Sequence, residues 1–351
     1  MRFFAFLQIA TALQAQAVIS SSQPTNSLSG DTNGSNFTYP WPVHLFNFTS
    51  QLQNLSMAYM DISPPSPSFS PSNGSKVAVL LHGKNFCGAT WEGTVRALLS
   101  KGYRLILPDQ IGFCKSSKPS AYQFTFHQLA ANTLQLLKSL DVSNITLIGH
   151  SMGGMLATRF ALLYPDTVKE LAMVNPLGLE DWIAKGVPYQ TIEKTRESEA
   201  ASNYASIRAY QQATYYVNTW KDEYDVWVNM LVNIYFGSQR ENFVLNQAQV
   251  TDMVLTQPVV YEFRNLKMRS LLVVGKKDTT AIGKQWSPPD VQARIGHYDV
   301  LGKEWLERVN GGKGENEGRG TLVEFEDLGH APQIQEPGRW YDALLGWLGE
   351  Q

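Results

Sequence analysis

The stretch ITLIGHSMGG, residues 145–154, decides the fold. Ile145 to Gly149 is an apolar run of strand length, the pattern of a parallel strand covered on both faces. Met152 to Tyr164 follows with helical patterning. Between them lies Gly149-His150-Ser151-Met152-Gly153, a G-x-S-x-G sequence on a strand-to-helix turn. A serine on so sharp a turn is strained and held exposed above the sheet, and glycines are needed beside it because side chains there would collide. The helix that follows points free N–H groups at negative charge developing on a substrate. Ser151 is therefore a candidate nucleophile.

The same strand-and-helix alternation continues on both sides. Buried-strand patterns occur at Lys76–His82, Tyr103–Leu107, Leu171–Val174, Ser270–Val274 and Thr321–Phe325. Helical patterns occur at Trp91–Ser100, Phe124–Leu140 and Trp340–Leu348. Val43–Phe48 and Leu55–Ile62 read as two strands joined by a short polar turn, and Ser63–Ser75 as a Pro/Ser/Gly loop. This order predicts an α/β protein with a mostly parallel, doubly wound sheet. The alternation stops after the sixth strand. Residues 177–265 carry helical spacing and no convincing buried strand, which predicts a helical cap inserted at the carboxyl edge of the sheet, where ligands bind in such folds. The core is then residues 39–176 and 266–351. Thr279–Gly320 reads as Gly, Pro and charge without an assigned element, ending in a Gly-rich surface loop over Gly311–Gly320.

Composition narrows the function. The chain has 351 residues, 43% of them hydrophobic, and a net charge of −2. That is enough for a sizeable core and lacks the basic excess of a nucleic-acid binder. No run in the mature chain is long and apolar enough for a spanning helix. Two cysteines exclude a four-thiolate zinc site, and no metal-ligand cluster, phosphate loop or dinucleotide fingerprint is found, so no metal or cofactor is implied.

Residues 1–19 combine Arg2, an apolar stretch from Phe3 to Leu13, and Ala15-Gln16-Ala17, the pattern of a secretory signal peptide. Residues 20–38 read as a flexible leader. Glycosylation sequons stand at Asn33, Asn36, Asn47, Asn54, Asn73 and Asn144, five of them in the first eighty residues. A secreted glycoprotein is expected. Cys87 and Cys114 suit the same compartment, where a bridge would contribute roughly 3–4 kcal/mol on the chain-entropy model.

A serine hydroxyl needs a base. Of six histidines, His330 sits on a loop after a late strand, with Gly329 before it. His44, His82, His127, His150 and His297 are read as structural or surface residues, with the His150 side chain turned away from the nucleophile. Asp278, ending an apolar strand, is the candidate acid that orients His330, with Asp181 as competitor. The N–H of Met152 is one candidate oxyanion donor.

These motifs together resemble the α/β-hydrolase family with a helical cap, over nearly everything from about Tyr39 to Leu348. Leu81-His82-Gly83 stands where that family places its oxyanion loop, which implies the N–H of Lys84 as the second donor, with Asn85 a possible side-chain contributor. Asp109-Gln-Ile-Gly-Phe-Cys-Lys-Ser116 resembles the family's D-x-x-G-x-G-x-S stretch, with Cys114 in place of its second glycine. Val274–Asp278 resembles its acid loop and Asp327–Pro332 its histidine loop. Ser151, Asp278 and His330 follow the chain order of this fold. Haloalkane dehalogenases and epoxide hydrolases of the family carry aspartate at the elbow. Serine instead implies acyl transfer to water, from a small or medium ester. The branch that cleaves carbon–carbon bonds in diketone-like substrates usually has tryptophan after the histidine, where this chain has Ala331. A cyclase, isomerase or binding role on the same scaffold is the remaining alternative. Aromatic residues crowd the cap (Tyr204, Tyr210, Tyr215, Tyr216, Trp220, Tyr224, Trp227, Tyr235), suiting an apolar or aromatic group, although most are expected to pack the cap itself.

Overall fold

The computed structural model describes residues 31–64, 76–311 and 318–349. The signal segment, the leader up to residue 30, Asn73 and most of the Gly-rich tail lie outside the described residues.

Eight strands form one sheet: β1 (His44–Ser50), β2 (Gln53–Ile62), β3 (Val77–Leu81), β4 (Arg104–Pro108), β5 (Ile145–His150), β6 (Val168–Val174), β7 (Arg269–Gly275) and β8 (Gly320–Phe325). Their order is β1-β2-β4-β3-β5-β6-β7-β8. β2 runs antiparallel to both β1 and β4, and β3 to β8 are mutually parallel. β3 and β5 sit at the centre, and every residue of both is buried, as their unbroken apolar runs require. After β3 the chain steps to one side to make β4, then returns to the other side for β5. The crevice at such a reversal is where open α/β sheets place their ligands.

Helices α1 (Glu92–Leu99), α2 (Phe126–Ser139) and α3 (Met152–Leu163) cover the first half of the sheet. Thr125 caps α2 by accepting the Gln128 N–H. Between β6 and β7 come α4 (Ile192–Ala200), α5 (Tyr204–Tyr210), α6 (Asp225–Tyr235) and α7 (Arg240–Thr256). The chain then adds α8 (Pro289–Gln292), α9 (Tyr298–Asn310), α10 (Pro332–Gln335) and α11 (Pro337–Gly349).

Four local expectations need correction. The β1–β2 turn has only two residues, Gln51 and Leu52, with φ of 50° and 60°. Both left-handed positions match the twist of a tight hairpin, so the strands extend further than their apolar pattern indicated. Leu52 is 98% exposed in what was expected to be a polar turn. The stretch after Thr279 is not loop throughout, because α9 lies within it. Leu301, Trp305 and Val309 recur at helical spacing and are all buried. Burying Leu301 and Val309 contributes roughly 1.5–3 kcal/mol each, which docks a helix whose surface is otherwise charged. The end of the leader is docked rather than flexible: Ser35 is buried with its carbonyl accepting Lys115 Nζ at 2.9 Å, and the Asn36 N–H reaches the Asn233 side chain at 2.9 Å. Cys114, in place of a glycine, adopts the left-handed conformation itself, with φ of 46°.

Candidate active site

Ser151 stands between β5 and α3 with φ 56° and ψ −124°, a conformation that L-residues avoid, and it is 5% exposed rather than standing clear of the sheet as expected. The surroundings impose it. A Cβ on Gly153 would lie 2.2 Å from the Leu81 carbonyl oxygen, and one on Gly149 would lie 2.4 Å from the Gly153 carbonyl oxygen. The Ser151 carbonyl accepts the N–H groups of Gly154 and Leu177 at 2.9 and 3.0 Å, which fixes the turn from both sides. Met152 is the first residue of α3, so its N–H has no partner within the helix.

The loop after β3 lies against this turn, since a Cβ on Gly83 would stand 2.9 Å from Ser151 Cβ. His82 holds that loop. Its Nε2 accepts the Gln110 N–H at 3.0 Å, so the ring proton sits on Nδ1 and is donated to the Gly83 carbonyl at 2.8 Å. Burial holds this imidazole below the usual histidine range. Phe86 N–H to the Gly83 carbonyl, 3.1 Å, closes the turn containing Lys84 and Asn85.

The loop after β8 brings His330 to the same edge. His330 Nδ1 lies 2.6 Å from Asp278 Oδ2, with both side chains at most 1% exposed. An ionised carboxylate only accepts, so Nδ1 carries the proton and Nε2 is left as the basic nitrogen. Asp278 follows β7 and accepts two further hydrogen bonds: Oδ1 accepts the Thr280 N–H at 2.8 Å, and Oδ2 also accepts Asn175 Nδ2 at 2.9 Å. The competitor Asp181 faces elsewhere, accepting Ala184 N–H and the Tyr261 hydroxyl as a loop-capping carboxylate.

Several residues here take places that no motif specifies. Asn175 comes directly after β6 with φ of 36°, and its Oδ1 accepts the Gly275 N–H at 2.8 Å. Its only signal was its place at the carboxyl end of a buried strand. His150 places Nε2 2.8 Å from the His330 carbonyl oxygen. From the cap, Thr214 accepts the His330 N–H at 3.4 Å, and the Tyr215 ring lies 5.0 Å from the His330 ring. Thr214 and Tyr215 end a single π-helical turn, Gln211–Tyr215, a departure from α geometry found often at functional sites.

The Asn85 amide, offered above as an oxyanion contributor, donates to the Tyr215 hydroxyl at 2.8 Å. The Lys84 ammonium is largely buried. It pairs with Glu199 of α4 at 2.6 Å, and Glu199 also accepts the Tyr235 hydroxyl at 2.5 Å. Tyr216 and Tyr224 stack at 3.8 Å and are buried within the cap, as most of the aromatics were expected to be. Burial raises the phenol pKa of Tyr215 and Tyr298, so the groups over His330 are uncharged.

Cys87 and Cys114 form a disulfide, with Cα atoms 5.8 Å apart. Asp109 lies beside the bridge and accepts the Gly88 N–H and the Tyr39 hydroxyl. The bridge occupies both sulfurs, which removes them as thiolate ligands. Asn36, Asn47, Asn54 and Asn144 are exposed, whereas Asn33 is half-buried and donates to the Lys115 carbonyl. Among the described residues no helix is long and apolar enough to cross a membrane.

Comparison with known proteins agrees with this architecture. The model of the alpha/beta hydrolase fold family matches residues 77–280, more than half of the chain. A solved structure, a "probable hydrolytic enzyme" of Pseudomonas aeruginosa PAO1, is 51% identical with a TM-score of 0.84, covering 90% of this chain and 96% of that one. Epoxide hydrolase 2 of Siraitia grosvenorii is 40% identical over 106 residues, 30% of this chain and 33% of that protein. The 2-hydroxy-6-oxo-2,4-heptadienoate hydrolase of Pseudomonas putida is 29% identical over 111 residues, 31% of this chain and 40% of that protein. The chain spans about a third to a half of the length of the curated relatives it matches.

Proposed function

Since the chain belongs to the alpha/beta hydrolase fold family, we propose that it is a serine hydrolase cleaving a small or medium, apolar or aromatic carboxylic ester. The observation that carries this reading is the buried His330–Asp278 pair, joined through His150 to the strained turn that holds Ser151. Ser151 Oγ attacks the ester carbonyl carbon while His330 Nε2 takes its proton. Asp278 holds the imidazolium through Nδ1. The backbone N–H groups of Met152 and Lys84 receive the oxyanion, each contributing about 3–4 kcal/mol of transition-state stabilisation. His330 returns the proton to the departing alcohol, and the acyl group stays on Ser151. Water, deprotonated by His330, then releases the acid.

The uncharged phenols over His330 and the engagement of Lys84 by Glu199 support a neutral substrate. The likeness to an epoxide hydrolase does not extend to its chemistry in this reading. Opening an epoxide with a serine would leave an ether, which activated water does not cleave. The likeness to the Pseudomonas putida hydrolase favours carbon–carbon hydrolysis as the second reading. Secretion and glycosylation belong to the proposal as well. They draw support from the N-terminal pattern, the buried bridge and the exposed sequons.

The deciding experiment is labelling with a fluorophosphonate, wild type beside Ser151→Ala, with mass spectrometry of the adduct. An ester, lactone and diketone panel follows. Labelling at Ser151 with ester turnover supports the reading. Turnover of the diketones alone transfers it to carbon–carbon hydrolysis. Folded protein that does not label points to a cyclase, isomerase or binding role. N-terminal sequencing that finds Met1 retained would sink the secretory part.

A further inference from the structure

His150 is 2% exposed, and its Nε2 lies 2.8 Å from the backbone carbonyl oxygen of His330. A carbonyl oxygen only accepts, so Nε2 carries the ring proton and donates it. That nitrogen is therefore not free to take a proton from a neighbouring serine. We propose that His150 is a positioning residue: it fastens the main chain of the base, His330, to the residue that directly precedes the nucleophile. The proposal rests on the hydrolase reading above.

The geometry makes this link short. Along the chain, His150 and His330 are 180 residues apart. Through the hydrogen bond, Ser151 is one peptide unit and one imidazole away from the main chain of its base. The two polar groups of the His330 backbone are anchored differently. Its N–H reaches Thr214 in the cap at 3.4 Å, and its carbonyl reaches His150 in the sheet at 2.8 Å. The shorter bond is the one to the element bearing Ser151. A cap that shifts to admit substrate would pull on the first and leave the second in place.

The His150 ring is itself fixed. Phe86 meets it edge-on at 5.0 Å, Trp91 stands perpendicular at 6.3 Å, and the His330 ring lies 5.0 Å away. Burial, and then the charge His330 would bear, hold the His150 imidazole well below the usual histidine range. It stays neutral while His330 carries the transferred proton, so no second cation opposes that step. A buried histidine that only filled space would be free to adopt either tautomer.

The test pairs two variants with a measurement on the wild type. His150→Phe keeps a ring of similar size and removes the donor. His150→Gln keeps a donor that can reach the carbonyl. His150→Phe is expected to slow fluorophosphonate labelling and ester kcat by about tenfold to a hundredfold, the range set by small misplacements of a reacting group, with KM little changed. His150→Gln is expected to restore most of the rate. Folded His150→Phe that labels at the wild-type rate overturns the proposal, and so does a His150→Gln as slow as the phenylalanine variant. In the wild type, imidazole 15N resonances of His150 should report the Nε2–H form from pH 8 down to pH 5. An Nδ1–H form overturns the proposal even where neither variant folds. A wild type that never labels at Ser151 overturns the hydrolase reading instead, whatever the His150 resonances show.

Discussion

Asn175 donates its side-chain amide to Asp278 Oδ2 at 2.9 Å, the oxygen that faces His330 Nδ1 at 2.6 Å. The asparagine also accepts the Gly275 N–H, so one side chain ties the turn after β6 to the turn after β7. Asn175→Ala leaves that N–H and one carboxylate contact without a partner and puts alanine at φ 36°. The expected loss is about 2–3 kcal/mol. Thermal unfolding reads it as a lowered Tm, with slower labelling of Ser151. An unchanged Tm would show that water replaces the amide at no cost.

Ser151 is only 5% exposed and holds a strained backbone conformation. Ser151→Gly relieves the strain and removes the hydroxyl. The variant should be inactive and about 1 kcal/mol more stable than wild type, once the greater freedom of glycine in the unfolded chain is subtracted. Calorimetry of the two proteins checks this, and a less stable glycine variant would mean that the turn is not strained.

Lys84 and Glu199 join the loop after β3 to α4, with side chains only 13% and 14% exposed. Breaking a pair so buried strands the remaining charge. Lys84→Met and Glu199→Gln should each destabilise more than the double variant Lys84→Met/Glu199→Gln. A double-mutant cycle should give a coupling of about 1–3 kcal/mol. Additive effects would place both groups in water.

The bridge carries its own backbone signature. Cys114 holds φ 46°, where the related pattern has glycine. Once the bridge is removed, Cys87→Ala/Cys114→Gly should be about 1 kcal/mol more stable than Cys87→Ala/Cys114→Ala, because glycine accepts the left-handed turn. Denaturant midpoints measure the difference, and equal midpoints would be the contrary result.

His82 and His150 are both buried and held below the usual range, first by desolvation. In the unfolded chain they titrate near pH 6.5. Below that pH the unfolded state binds protons that the native state refuses. Their contribution is thus full above about pH 6.5 and falls as the pH drops, by at most about 1.4 kcal/mol per histidine for each unit. Tm should decline between pH 7 and pH 5, and His82→Gln should flatten that decline. The same slope in both proteins would exclude His82 as a source.

Much of this architecture was legible because buried parallel strands write unbroken apolar runs, and Val77–Leu81 and Ile145–Gly149 could hardly be anything else. Ser151 was readable because its turn demands glycines at fixed offsets. α9 was missed because glycine and charge surround the three residues that dock it. Asn175, Thr214 and Tyr215 were illegible for another reason. Their place beside His330 comes from segments far apart in the chain, and no local pattern records such a meeting. Lys84 shows the same limit: nothing local points to Glu199, 115 residues away, and only the fold supplied it.

The order in which the groups occur along the chain has a consequence for synthesis. The elbow, with Gly153 against Leu81, needs only residues made early. Its base arrives 180 residues after His150 has left the peptidyl-transfer centre. Chains fold from the amino terminus while they are still growing. Because β7 and β8 complete the same sheet, the proposed serine and its proposed base meet only when translation has nearly run its course.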